Sequence, residues 1–334
     1  MSLIYPRHYE NKLSIIETQK AIKLVKDSFE RKLADSLKLT RVSAPLFVEP
    51  GTGLNDNLNG IEKPVCFKLP KLNKEVEIVQ SLAKWKRFAL GKYQFSEGMG
   101  IYTDMNAIRP EEETDNLHSI YVDQWDWEKV ININERSIAY LKAVVINIIN
   151  CLADTNDLLK QTFPLLSFEV ERDVYFITSE DLLKMYPDFS PKERENAICR
   201  EKKTVFIIGI GDKLSNGLPH DNRAPDYDDW GLNGDILVYY PLLDMAVELS
   251  SMGIRVDQKA ILRQLEISNC LDRQILPFHK AIINNELPLT IGGGIGQSRL
   301  CLILLEKLHI GEVQVSTWNE EDILAAKNYS ALIL

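Results

Sequence analysis

Residues 288–300 read PLTIGGGIGQSRL, with four glycines in five positions and a single arginine, Arg299, close behind. A run so poor in side chains leaves backbone that something else must cover, so it restricts the fold more than any other stretch. A dinucleotide fingerprint would need a third glycine where Arg299 stands, and a βαβ unit opened early in its domain. Such a unit takes roughly 30 residues or more, nearly all the chain that follows the run. A dinucleotide loop is therefore excluded. Two readings remain: a tight helix–strand packing point, or bare backbone that approaches a flat or charged ligand beside one fixed cation.

The 334 residues are enough for one large domain or two, and the 45% hydrophobic and 26% charged content is that of a globular chain. A net charge of −9 argues against a broad nucleic-acid surface. The five cysteines (Cys66, Cys151, Cys199, Cys270 and Cys301) are scattered without CxxC spacing, a pattern of reduced thiols with no zinc site. The N-terminus lacks the apolar core of a signal peptide. The most apolar helical stretch, 138–153, is interrupted by Lys142, Asn147 and Asn150 and reads as too short to span a bilayer. A cytoplasmic, soluble protein with no membrane partner is expected.

Ile22, Val25, Phe29, Leu33 and Leu37 recur every three or four residues and predict an amphipathic helix within 12–39. An extended segment holding Pro45 follows, then a glycine-bracketed loop, GTGLNDNLNG. Residues 75–79 read as a strand, Ser81 as the N-cap of a helix that Gly91 ends. IYTDMNAIR and SIYVDQWDW read as strands joined by an acidic loop, 137–154 as helix, 173–178 and 204–210 as strands, and 237–256 as a strand pair. Helices and strands do not alternate regularly. The fold class expected is α+β, a mostly antiparallel sheet flanked by helices in one large domain.

Ser81–Lys84 matches an SxxK pattern, but no SDN, KTG or GxSxG accompanies it, which argues against serine catalysis. In YVDQWDW the two-residue period puts Gln124 and Asp126 on one face and Asp123, Trp125 and Trp127 on the other. An amide beside a carboxylate suits an ammonium group, although taken alone the pair fits a solvated polar face better. If PLLD (241–244) is a four-residue turn, Leu237 opposes Glu248, and Asp235 lies two residues along on the same face. That diagonal is about 7–8 Å, a span hydrated Mg²⁺ can bridge. Arg255 follows close behind and sets a cation near the two acids.

Three stretches in order resemble the motifs of class II aminoacyl-tRNA synthetases: a long helix leading to LTRVSAPLF, a strand ending in Arg109, and GGGIGQSRL with Arg299. Longer blocks, VQSLAKWKR, LHSIYVDQWDWE, RAPDYDDW, LNGDILV, ELSSMGIRVD and TIGGGIGQSRL, resemble the ammonia-dependent asparagine synthetase A family across essentially the whole chain. The resemblance implies the class II catalytic fold without a tRNA- or anticodon-binding domain, and a homodimer paired through the first motif. It implies a ligase making L-asparagine from L-aspartate, ammonia and ATP with Mg²⁺ through β-aspartyl-AMP, with no nucleic-acid partner.

By the same resemblance, Arg299 stacks on adenine while Gly294 and its neighbours leave room for nucleotide. Arg109 holds the α-phosphate, and Asp235 and Glu248 bind ATP with the metal. Lys86 and Arg255 grip a carboxylate of aspartate. Because the β-carboxylate must be the one activated, the amino acid lies reversed: Lys86 and Arg255 then take the α-carboxylate, and Asp56, Gln124 and Asp126 the α-ammonium. Ser81, Ser250 and Ser251 are further candidates for aspartate, and Arg223 and Asp228 for ATP. Arg109 and Lys86 are the catalytic candidates. Two rivals are a synthetase paralogue that transfers an amino acid to RNA or protein, and a non-catalytic regulatory relative.

Overall fold

The computed structural model describes all residues except 1, 2, 5, 7 and 57–62. The last four residues of the glycine-bracketed loop expected at 51–60 therefore lie outside the described residues. The first helix, α1 (Ile15–Leu37), starts where Ser14 and Glu17 close a capping box, and it ends at Lys38 in the left-handed region. Its stripe of Ala21, Val25, Phe29, Leu33 and Leu37 is buried in the protein's own core. The apolar periodicity is thus spent internally rather than on a second copy, and Ile15 and Ile16 are the exposed apolar residues at the start of this helix.

Strands β1 (Leu39–Arg41), β2 (Phe47–Val48), β3 (Cys66–Leu69) and β4 (Lys74–Ile78) precede helix α2 (Ala83–Lys92). Leu82, not Ser81, occupies the N-cap of α2, and the helix continues through Gly91 to Lys92. The Ser81 hydroxyl accepts from the Ala83 N–H at 3.1 Å, just outside the helix. Strands β5 (Gly100–Ile108) and β6 (Tyr121–Val130) form an antiparallel pair. Helix α3 (Ile138–Thr162) follows, then β7 (Tyr175–Thr178), α4 (Ser179–Met185), α5 (Pro191–Lys202) and β8 (Thr204–Ile208). The chain finishes with β9 (Asp228–Tyr240), β10 (Met245–Arg255), α6 (Gln258–Ile267), α7 (Pro277–Ile283), β11 (Thr290–Gly296), α8 (Gln297–Leu304) and α9 (Glu320–Asn328).

Eight strands make one sheet in the order β1-β5-β6-β11-β10-β9-β8-β7, parallel at its two ends and antiparallel between. Strands β2, β4 and β3 form a separate small sheet. One face of the large sheet carries Trp125, Trp127, Met252, Ile254, Ile236 and Ile295, packed with the stripes of α1 and α3 in the main core. Helix α3 runs nine residues beyond Ala153, because Thr155, Asn156 and Leu159 continue its buried stripe. By length and composition it could cross a membrane, but half of its most apolar window is buried in the fold.

The glycine run forms β11, a central strand between β6 and β10. Its glycines answer to close approach, not to unusual backbone angles. A Cβ at Gly292 would stand 2.0 Å from Glu128 Oε2, and one at Gly294 2.2 Å from Gln124 Oε1. On the opposite face a Cβ at Gly293 would stand 2.5 Å from Met252 Cβ. The bare backbone is therefore covered in part by the chain's own side chains.

Candidate active site

The face of the sheet opposite α1 and α3 borders a cavity of about 630 Å³. Strand β6 contributes Gln124 and Asp126, on the opposite face from Trp125 and Trp127, as the two-residue period requires. Glu128 continues the same alternation and is fully buried. It lies one step beyond the YVDQWDW stretch whose period marks this face.

The hairpin β9–β10 turns on residues 241–244 and sets Glu248 opposite Leu237, as the four-residue turn predicts. A β-bulge at Leu249 then shifts the register, so that Ser250 pairs with Ile236 and Ser251 with Asp235. Ser250 shares a face with Ile236 and Ile295 of the main core, and it is not on the cavity wall. Ser251 lines the cavity. The extra residue reverses the alternation expected from sequence, and with it the places of the two serines.

At one end of the cavity five charged groups are paired with one another. The Lys86 ammonium donates to Asp126 and, at 3.0 Å, to the Gly293 carbonyl. Burial holds the Lys86 ammonium below the usual lysine range. Arg255 donates to Glu128 at 2.7 Å and to Asp228. Burial pushes the Glu128 carboxyl up, but Arg255 and Lys86 outweigh it, and the group lies below the usual carboxylate range. Asp228, expected on ATP, is in fact the register partner of Arg255, because β9 begins there. Asp56 is buried and lines the same cavity.

At the other end, Arg109 follows β5 directly and donates to the Gln80 carbonyl at 3.4 Å, with Glu112 at 3.9 Å. Its Nε has no hydrogen-bond partner among the described residues. Arg299, in the first turn of α8, donates to the Glu248 carbonyl at 2.8 Å and also lines the cavity. Arg223 lines the wall and is ion-paired with Asp235, whose own side chain stands behind it. Burial above all pushes the Asp235 carboxyl up; Arg223 opposes this and Glu248 adds to it. Two nearby carboxylates suit Mg²⁺ held largely by phosphate oxygens and water, provided Arg223 gives way at Asp235. Among the described residues no cluster of three or more His, Cys, Asp or Glu side chains could form an all-protein metal cage.

Sequence reasoning missed two further features. Gln80, at the junction of β4 and α2, lines the cavity and is fully buried. Asp226 lies behind the wall and accepts from Lys84 at 2.9 Å and Arg273 at 3.1 Å, and pairs with His279 Nε2 at 3.0 Å. This also accounts for the SxxK match: Lys84 is committed to Asp226, while Ser81 lines the cavity. No local pattern marks Asp226, since its partners come from 142, 47 and 53 residues away.

The family described as aspartate-ammonia ligase matches residues 16–330. An aspartate–ammonia ligase of Ruminiclostridium cellulolyticum is 54% identical over 100% of this chain and 99% of its own length. Another, from Clostridium perfringens, is 56% identical over 96% of each chain. The fold is also that of an asparaginyl-tRNA synthetase from Pyrococcus horikoshii, solved with asparaginyl-adenylate. That match has a TM-score of 0.62 at 15% identity and covers 89% of this chain and 68% of the other. Class II synthetase architecture and close relatives over the full length agree, and this chain belongs to the aspartate–ammonia ligase family.

Proposed function

We propose that asparagine synthesis from aspartate and ammonia, the reaction of this ligase, proceeds here through β-aspartyl-AMP made in the cavity described above. The observation that carries the route is the division of that cavity into two ends. Arg109 and Arg299 offer guanidinium groups at one end, and at the other Lys86, Arg255, Asp126 and Asp56 offer both signs of charge. Aspartate carries two carboxylates and one ammonium, and such a mixed set matches it.

In this reading Arg109 binds the α-phosphate and Arg299 lies against the adenine. Lys86 and Arg255 hold the α-carboxylate, with Asp56, Gln124 and Asp126 on the α-ammonium. The β-carboxylate is thereby aimed at the phosphorus, and its oxygen attacks in line to release pyrophosphate. Arg109 stabilises the charge spread over the phosphoryl oxygens. Asp235 and Glu248 are the residues that would hold Mg²⁺, which when bound would neutralise phosphate charge. Ammonia then displaces AMP. Ser81 and Ser251 line the amino-acid end; Gly294, Arg223 and Asp228 border the space that ATP and aspartate share.

The chain would work as a single catalytic domain, without nucleic acid, in the cytoplasm, where five cysteines with no disulfide among the described residues are at home. It would act as a homodimer, supported by the edge strand β1 and the exposed Ile15, Ile16 and Leu46. Sedimentation of a stable 38.2 kDa species at micromolar concentration would contradict the dimer. The route itself is tested by exchange of labelled pyrophosphate into ATP. Exchange that requires aspartate and proceeds without ammonia supports the adenylate; exchange that requires ammonia rejects it.

A further inference from the structure

Gln80 is buried, lines the cavity, and has no hydrogen-bond partner among the described residues for either Oε1 or Nε2. A carboxamide withdrawn from water with both ends unmatched is costly, and sites that keep one commonly have a use for it. Its backbone fixes where it stands. The Gln80 N–H donates to Asn55 Oδ1 at 2.9 Å, and the same oxygen accepts from the Asp56 N–H at 3.0 Å. The Gln80 carbonyl accepts from Arg109. The residue thus joins the Asp56 loop to the guanidinium assigned to the α-phosphate, at the meeting point of the amino-acid and phosphate ends.

We propose that Gln80 is a catalytic residue of the amide-forming step, its Oε1 accepting a hydrogen bond from the ammonia that attacks the activated β-carboxyl. This rests on the adenylate route above. The chemistry favours an amide over an acid at this point. A carboxylate would stabilise ammonium, whose nitrogen has no lone pair to give, whereas a neutral oxygen orients an N–H without favouring the charged form. The ammonia lone pair forms the C–N bond to the carbonyl carbon of the activated β-carboxyl group. The C–O bond to AMP breaks, and its electrons stay on the phosphate oxygen. The surplus proton on nitrogen passes to the departing phosphate or to water, leaving asparagine and AMP. Gln80 itself is not protonated.

The two half-reactions separate this role from a structural one. Gln80→Leu is expected to raise the KM for ammonia about tenfold or more, while aspartate-dependent pyrophosphate exchange falls less than about threefold, the loss of one hydrogen bond made only to ammonia. Gln80→Glu keeps the shape and adds a charge. Its ammonia-dependent rate should shift to higher pH, where ammonium is depleted, while its exchange profile stays in place. If Gln80→Leu folds poorly by thermal melting, the near-isosteric Gln80→Glu carries the test. An unchanged KM for ammonia, or equal losses in exchange and in asparagine formation, would overturn the assignment alone. Absence of exchange in the parent enzyme would overturn the adenylate route and this assignment with it.

Discussion

The ammonium of Lys86 is bonded directly to the carboxylate of Asp126, and both side chains are buried at the amino-acid end of the cavity. The proposed pose assigns them to opposite groups of aspartate, Lys86 to the α-carboxylate and Asp126 to the α-ammonium. Aspartate would therefore enter by exchanging an internal ion pair for two external ones. The substrate's amino group is what allows the exchange, because Asp126 would otherwise lose its cation without a replacement.

Succinate has the reacting carboxylate but no ammonium, and it should be a poor substrate for the parent enzyme. Asp126→Asn should damage aspartate use far more than succinate use, since a neutral amide no longer demands an ammonium. Steady-state rates with both acids check this. An equal fall for the two would make Asp126 a structural residue and require a different pose.

Arg109→Ala should leave the fold intact, as the side chain makes one long hydrogen bond and one pair near 3.9 Å. Removing one contact to transition-state charge costs roughly 3–4 kcal/mol, a loss of about 10²–10³ in the rate of adenylate formation. Single-turnover release of pyrophosphate measures it. An unchanged rate would place the α-phosphate elsewhere.

Much of this site was legible in the sequence because local periodicity sets it. The alternation of Gln124 and Asp126 against Trp125 and Trp127 is a direct reading of the strand period, and the 241–244 turn fixed Glu248 opposite Leu237. What escaped depends on events without a local signature. The bulge at Leu249 exchanges the faces of Ser250 and Ser251. The glycines of β11 suggested open backbone, yet Gln124 and Glu128 reach across from β6 to cover part of it. The partners of Asp226 come together only when α2, α7 and the segment before β9 have packed.

Asp235→Asn and Glu248→Gln should each raise the Mg²⁺ concentration needed for half-maximal activity, because a neutral amide is a poorer ligand for a hard cation. Asp235→Asn also loosens its hold on Arg223 and should show the larger change in ATP affinity. Magnesium titrations at saturating ATP provide the comparison. Curves for both variants that overlay the parent's would put the metal elsewhere.

Asp226, itself out of contact with water, ties the buried Lys84 and His279 to the partly exposed Arg273. Burial pushes its carboxyl up, but Lys84, His279 and Arg273 prevail and hold it well below the usual aspartate range. Its stabilising contribution is therefore complete above the unfolded aspartate pKa of about 3.9, and is lost as pH falls from there toward the lower folded value. Asp226→Ala leaves buried cations unpaired and should cost about 3–5 kcal/mol near neutral pH. Denaturant unfolding of variant and parent should show that gap narrowing as the pH is lowered below about 4. A gap independent of pH would mean that packing, not charge, is what Asp226 supplies.

In the proposed pose aspartate lies with its α-carboxylate on Lys86 and Arg255 and its β-carboxylate toward Arg109. The most direct measurement is the identity of the amide formed from aspartate, ATP and ammonia, resolved by chromatography against asparagine and isoasparagine. The pose described here predicts asparagine alone, accompanied by AMP and pyrophosphate in equal amounts. Isoasparagine, or release of ADP and phosphate, would contradict it.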